Sequence, residues 1–291
     1  MFFQNYAKPG KGVNKRDPNQ PRIKTFFEIL PRKLWNLCKL NWLYLITAIP
    51  FFLVTMFIAG IFSSPIINSI TDFFNDVDLT MLAVFDLFVR FAVSMCFLIF
   101  WGLGPCTAGF TFITRNYGKE EHCWLFSDYF EKFRQNFKQS ILLWIIDLVV
   151  FYLLAVAFMF YHRNSMFLLT ILVASVTVVY TMMHMYIYQM MISYKLSFID
   201  IIKNSLLLTF IKAPQNVLLL FVVLAMNIGI PYLIYSLFQN VISILVIVLL
   251  EACMLPALSS FITNFFVYTT LEMYVNGDNR AEEKTEQTVE I

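Results

Sequence analysis

Six long apolar runs constrain this chain more than anything else in it: residues 41–62, 82–103, 140–161, 166–191, 215–237 and 241–270. A helix needs about 20 apolar residues to cross a hydrocarbon core of roughly 30 Å. In hydrocarbon every backbone polar group must be paired within the segment, which a helix achieves. The runs predict an all-α fold, a polytopic transmembrane helix bundle of six spans with the lipid bilayer as its first partner. Composition points the same way, with 59% hydrophobic and 14% charged residues, against roughly 45–50% and about 25% in soluble domains. A net charge of +2 is too small to imply a nucleic-acid partner. The first 40 residues are polar, basic and broken by proline, and the first apolar run exceeds a signal-peptide core of about 7–15 residues, so no cleavable leader is expected.

Lys and Arg set the direction of the spans. Nine precede the first run, five lie in the second-to-third connection, three in the fourth-to-fifth and two after the sixth. The alternate connections carry Arg163 alone, and Arg90 lies inside a run. Basic loops stay in the cytoplasm. This places both termini there and divides the chain into a basic cytoplasmic segment (1–25), a six-span domain (26–275) and a disordered acidic tail (276–291) carrying Asp278, Glu282, Glu283, Glu286 and Glu290.

Three stretches on that side, 26–40, 124–139 and 198–211, space apolar residues at three and four. That pattern predicts amphipathic helices lying in the interface. Each ends similarly before a span, at Lys39-Leu-Asn41, Lys138-Gln-Ser140 and Lys212-Ala-Pro-Gln-Asn216. The likeness allows a threefold repeat of one interfacial helix and two spans. In the second stretch Phe130, Phe133 and Phe137 share a face and are candidates for partner docking, although the same face would serve simple anchoring.

Charged groups inside spans are costly and often functional. Asp86 and Arg90 are one turn apart, and Arg90 and Glu251 have matching depths of about 13 and 15 Å from the outer side, at 1.5 Å per residue. They predict an ion cluster tying spans two and six, or a site for a proton or polar ligand. Asp147 and His184 lie at one level of the third-to-fourth hairpin, with Tyr180 and Tyr188 flanking the histidine. They predict a buried hydrogen bond or a proton relay. Gly102, Gly104, Pro105 and Gly109 should break or kink the end of the second span, as a tight joint or a broken-helix binding site. Asn227 to Pro231 should kink the fifth span.

No Walker, HExxH, GxSxG or GxGxxG motif occurs, so neither an enzyme nor a cofactor is expected. The five cysteines form no CxxC pair, and His122-Cys123 has no second ligand pair, so no metal site is expected.

Several stretches resemble the YesL-like family of bacterial integral membrane proteins, a domain of unknown function. They are Lys8-Pro9-Gly10-Lys11-Gly12-Val13, Arg32-Lys33-Leu-Trp35, Leu40-Asn41-Trp-Leu-Tyr44, Gly104-Pro105-Cys-Thr-Ala108-Gly109 and Phe133-Arg-Gln-Asn136. The likeness is dense over 8–140 and looser beyond, and Cys106 stands where the family often has alanine. The resemblance implies a bacterial plasma-membrane protein, an accessory or scaffold component of carbohydrate uptake that associates with sugar ABC-importer permeases. The permease loop that docks an ATPase is absent. The alternative from another class is a small-solute or proton-coupled transporter using Arg90, Glu251, Asp147 and His184.

Overall fold

The computed structural model describes the backbone of residues 20–73 and 78–289, with side chains described to Ile61, at 78 and from 80 to 274. The expected N-terminal basic segment falls largely outside these residues, and so do the side chains of the acidic tail. Among the described residues every regular element is helical. Five helices are long and apolar enough to cross a membrane: Arg22–Ile61, Thr80–Trp101, Phe137–Arg163, Phe167–Ser193 and Ala213–Phe238. A bent pair, Val241–Cys253 with Leu255–Tyr274, makes a sixth if counted as one span. The expected fold class is therefore observed.

The first helix, α1, runs from Arg22 to Phe73 without a break. At 1.5 Å per residue its 52 residues extend about 78 Å, more than twice a hydrocarbon core. Stretch 26–40 is thus not a separate interfacial element but the first turns of the same helix. Nothing at Lys39–Asn41 interrupts it, because Leu37, Leu40 and Asn41 are fully buried against the bundle. The other two stretches are separate helices: α4 (Leu125–Gln135), which turns at Asn136, and α7 (Phe198–Ile211).

The second span is α2 (Leu79–Cys96), ending in a π-helical turn, Phe97–Trp101. After it the helix breaks at Gly102 and Gly104, at φ +90° and +63°, and α3 (Pro105–Lys119) begins. Only glycine holds those angles without strain, and Pro105 suits a first helical turn, where its missing N–H is not required. The predicted break at 102–105 is present. The third and fourth spans are α5 (Phe137–Arg163) and α6 (Phe167–Ser193). The fifth is α8 (Ala213–Leu224), a second π-helical turn (Ala225–Gly229) and α9 (Ile230–Phe238). The predicted irregularity at Asn227–Pro231 is that π turn. The sixth is α10 (Val241–Cys253) and α11 (Leu255–Val289), with a 45° bend between them.

One core gathers Ile29, Leu40 and Tyr44 of α1, Phe110 and Ile113 of α3, Tyr129 of α4 and Phe261 and Phe265 of α11. A second gathers Tyr186, Ile187 and Met190 of α6 with Ile201 and Leu208 of α7 and Val267 and Leu271 of α11. Gly109 lets α3 and α4 touch, since a Cβ there would lie 2.7 Å from the Tyr129 carbonyl oxygen.

The bend in the sixth span frees backbone groups that lipid cannot satisfy. Asn41 satisfies them from α1. Its Nδ2 donates to the carbonyls of Glu251 (3.0 Å) and Ala252 (2.8 Å), and its Oδ1 accepts from the Ala257 amide (3.0 Å). Asn216 acts similarly on the end of α7, donating to the carbonyls of Leu208 and Thr209 while accepting from the Tyr186 hydroxyl.

Candidate functional site

At the glycine break, the π turn after α2, the start of α3, the middle of α6 and the first turns of α11 surround a cavity of about 80 Å³. Its polar lining comes from Tyr44, Thr107, Thr181, His184, Tyr188 and Asn264, among others. The π turn matters here: its wider winding leaves the Leu98 carbonyl for the Tyr44 hydroxyl (3.1 Å) and aims the Trp101 indole at α6. Trp101 Nε1 donates to Thr181 Oγ1 (3.1 Å), and its ring stacks on that of His184.

His184 and Asp147 are brought together as their spacing implied. His184 Nε2 lies 3.1 Å from Asp147 Oδ1, and both side chains are wholly buried. The approach lacks hydrogen-bond alignment, so neither ring nitrogen of His184 has a hydrogen-bond partner among the described residues. Asp147 Oδ1 instead accepts from the Tyr180 hydroxyl (2.6 Å). Tyr188, the other flanking tyrosine, is buried with its hydroxyl unpaired by the same criterion, as is Asp147 Oδ2. Buried polar groups are usually paired, so this concentration of unmatched atoms beside a polar cavity is unusual.

Arg90 takes the Asp86 option. It donates to Asp86 Oδ2 at 2.6 Å within α2, and its guanidinium lies against α1 at Gly60, where a Cβ would collide with it. No ion pair joins Arg90 to Glu251 among the described residues, so the expected tie between spans two and six is replaced by one between α2 and α1. Depth matched, but α2 packs on α1 rather than on α10. Glu251 is half-buried near the Asn41 clamp, with Oε2 unpaired.

The expected docking aromatics divide. Phe130 and Phe137 are exposed, but Phe133 packs against the first core. Trp124 and Phe126, on the same stretch but not among the docking candidates, and Trp35 of α1 are more exposed than any of the three. Around Trp124 and Phe126 lies an open groove of about 860 Å³, lined also by Lys33, Asn36, Lys39, Tyr117 and His122. It sits at the Lys/Arg-rich end, where Arg32 pairs with Glu120 at 2.8 Å and Lys33 covers the Tyr117 ring. Inside the bundle, a second unforeseen network joins three helices. Gln189 donates to Asn264 Oδ1 (2.7 Å), and Asn264 donates to Thr114 (2.6 Å) and Ser260 (3.0 Å). Isolated amides within apolar runs were its available signal.

These features define an all-helical, multi-pass bundle with a broken second span, a small polar interior and an aromatic, basic end. Residues 81–158, just over a quarter of the chain, match the model of a family described as a protein of unknown function, DUF624. No curated protein and no solved structure matches the chain.

Proposed function

We propose that the chain is a non-enzymatic membrane subunit of the YesL-like kind. In this reading it resides in a bacterial plasma membrane with its basic end in the cytoplasm, and it docks a partner of the carbohydrate-uptake machinery, a sugar ABC-importer permease. The observation that carries the reading is the large exterior groove at the aromatic, basic end. The groove of about 860 Å³ is lined by exposed Trp124 and Phe126 beside Lys33 and Lys39. Rigid aromatics bury large area with few rotatable bonds and serve well as anchors.

The test replaces Trp124 and Phe126 by serine, leaving the half-buried Phe133 intact, and follows membrane insertion and sugar uptake in the host. Normal insertion with impaired uptake supports docking; normal insertion with normal uptake overturns it. The transporter reading draws on the buried Asp147–His184 pair. Unaided solute transport by the purified protein in liposomes, abolished by Glu251→Gln, would put that reading in its place.

A further inference from the structure

A second chamber lies directly against the polar cavity. It is a cleft of about 510 Å³ walled by Cys96 and Phe97 near the end of α2, by Phe151, Ala155 and Phe158 of α5, by Ala174 and Val178 of α6, and by Leu220 and Leu224 of α8. Its volume is in the range of small-molecule sites, and its lining is apolar apart from Cys96 and two threonines. All these helices are span helices, so the cleft lies at the depth where hydrocarbon chains are the solvent. Phe100, Trp101 and Thr181 line both chambers. These three side chains separate the chambers, and Trp101 Nε1 donates to Thr181 Oγ1 across the partition.

The geometry points to a single composite site for a single-chain amphiphile with a neutral, hydroxyl-bearing head, its tail in the apolar cleft and its head in the polar cavity against His184 and Tyr188. A head hydroxyl can replace the partition bond at both ends, accepting from the Trp101 indole and donating to Thr181. A second hydroxyl can then pair with His184 Nδ1, which has no hydrogen-bond partner among the described residues, and with the Tyr188 hydroxyl beside it. A buried nitrogen without a partner carries a desolvation cost that such a hydroxyl offsets. The head is neutral because neither chamber is lined by Lys or Arg, so a phosphate there would be a desolvated anion without a Lys or Arg to pair with.

The experiment uses full-length protein in phospholipid nanodiscs and three photoactivatable probes of equal chain length, each with a diazirine in the tail. One is a monoglyceride, one a plain alkane and one a lysophosphatidic acid. Adducts are located by mass spectrometry of peptides covering 151–159 and 174–181. The monoglyceride is expected to label these peptides at least fivefold more than either other probe. Tyr188→Phe is expected to bring the monoglyceride-to-alkane ratio near one. Ala155→Phe, which fills the cleft without touching the polar cavity, is expected to reduce monoglyceride labelling at least fivefold, and it serves as the second variant should Tyr188→Phe fail to fold. Equal labelling by monoglyceride and alkane overturns the proposal, as do preference for the phosphate head, labelling no greater than on the outward faces of the bundle, and unchanged labelling in Ala155→Phe.

Discussion

Replacing Asn41 by leucine removes a clamp while keeping nearly the same side-chain volume. Three hydrogen bonds disappear, at 3.0, 2.8 and 3.0 Å, to Glu251, Ala252 and Ala257. A buried bond contributes about 1 kcal/mol net in soluble proteins and averages about 0.6 kcal/mol in a membrane bundle, so the bonds alone give about 2–3 kcal/mol. The groups left behind are two carbonyls and an amide at a bend, with no helical turn to close over them, which raises the expected loss to about 2–4 kcal/mol. Asn41→Asp should lose at least as much at neutral pH. It keeps an acceptor for the Ala257 amide but sets a carboxylate against two carbonyl oxygens. The assay is reversible unfolding in mixed detergent micelles, joined to hydrogen exchange of segment 251–258. Exchange at Ala257 should accelerate before global unfolding. A loss under about 0.5 kcal/mol for Asn41→Leu, with unchanged exchange at Ala257, would refute the clamp.

Four further outcomes are expected. Gly109→Ala should destabilise the fold by about 2 kcal/mol by pushing α4 from α3, measured by thermal unfolding in detergent; an effect below about 0.5 kcal/mol would contradict the contact. Gly60→Ala should be harmful beside the Arg90 guanidinium and less harmful in an Arg90→Ala background, a coupling of about 1 kcal/mol that a double-mutant cycle reads directly. Burial foremost, with the nearby Asp128 charge, pushes the Cys123 thiol up to about 11; because the thiolate reacts, alkylation of Cys123 at pH 8 should run about 100-fold below that of a cysteine titrating near 9, and should accelerate up to about pH 11. In a background lacking the native cysteines, an impermeant thiol reagent applied to intact cells should label a cysteine at Asn164 or Gln239 and spare one at Glu131; the reverse pattern would invert the proposed orientation.

Much of this architecture is legible in the residue pattern because lipid leaves the backbone few choices. Apolar length located the spans, and paired glycines before Pro105 located the break after α2. Asp147 and His184 met because a short hairpin fixes relative depth, leaving only rotation about each helix axis undecided. Arg90 and Glu251 show where that logic stops. Equal depth says nothing about which spans are neighbours, and only the packing of α2 on α1 decides in favour of Asp86. Phe133 failed as a surface anchor for a related reason: a stripe of aromatics has two edges, and the one facing α1 and α3 is core. The Asn41 clamp spans more than 200 positions in sequence, and no periodicity can report such a contact. The π turns were equally hidden, since one extra residue in a helical turn leaves the apolar character of the run unchanged.

The unbroken length of α1 has a mechanical consequence. Helix α1 stays helical over about 78 Å, through Pro31 and Pro50, where a backbone donor is missing, so a change of tilt is carried from one end toward the other. Pivoting about its midpoint by about 10°, well within the spread seen for membrane helices, swings each end by about 7 Å. Trp35 and the Lys33–Lys39 face ride on one arm, and Gly60, which holds Arg90, rides on the other. Asn41 sits between them, gripping the elbow of the last span. Whatever leans on the aromatic end therefore pulls on α2 at one lever arm and on the sixth-span bend at a shorter one.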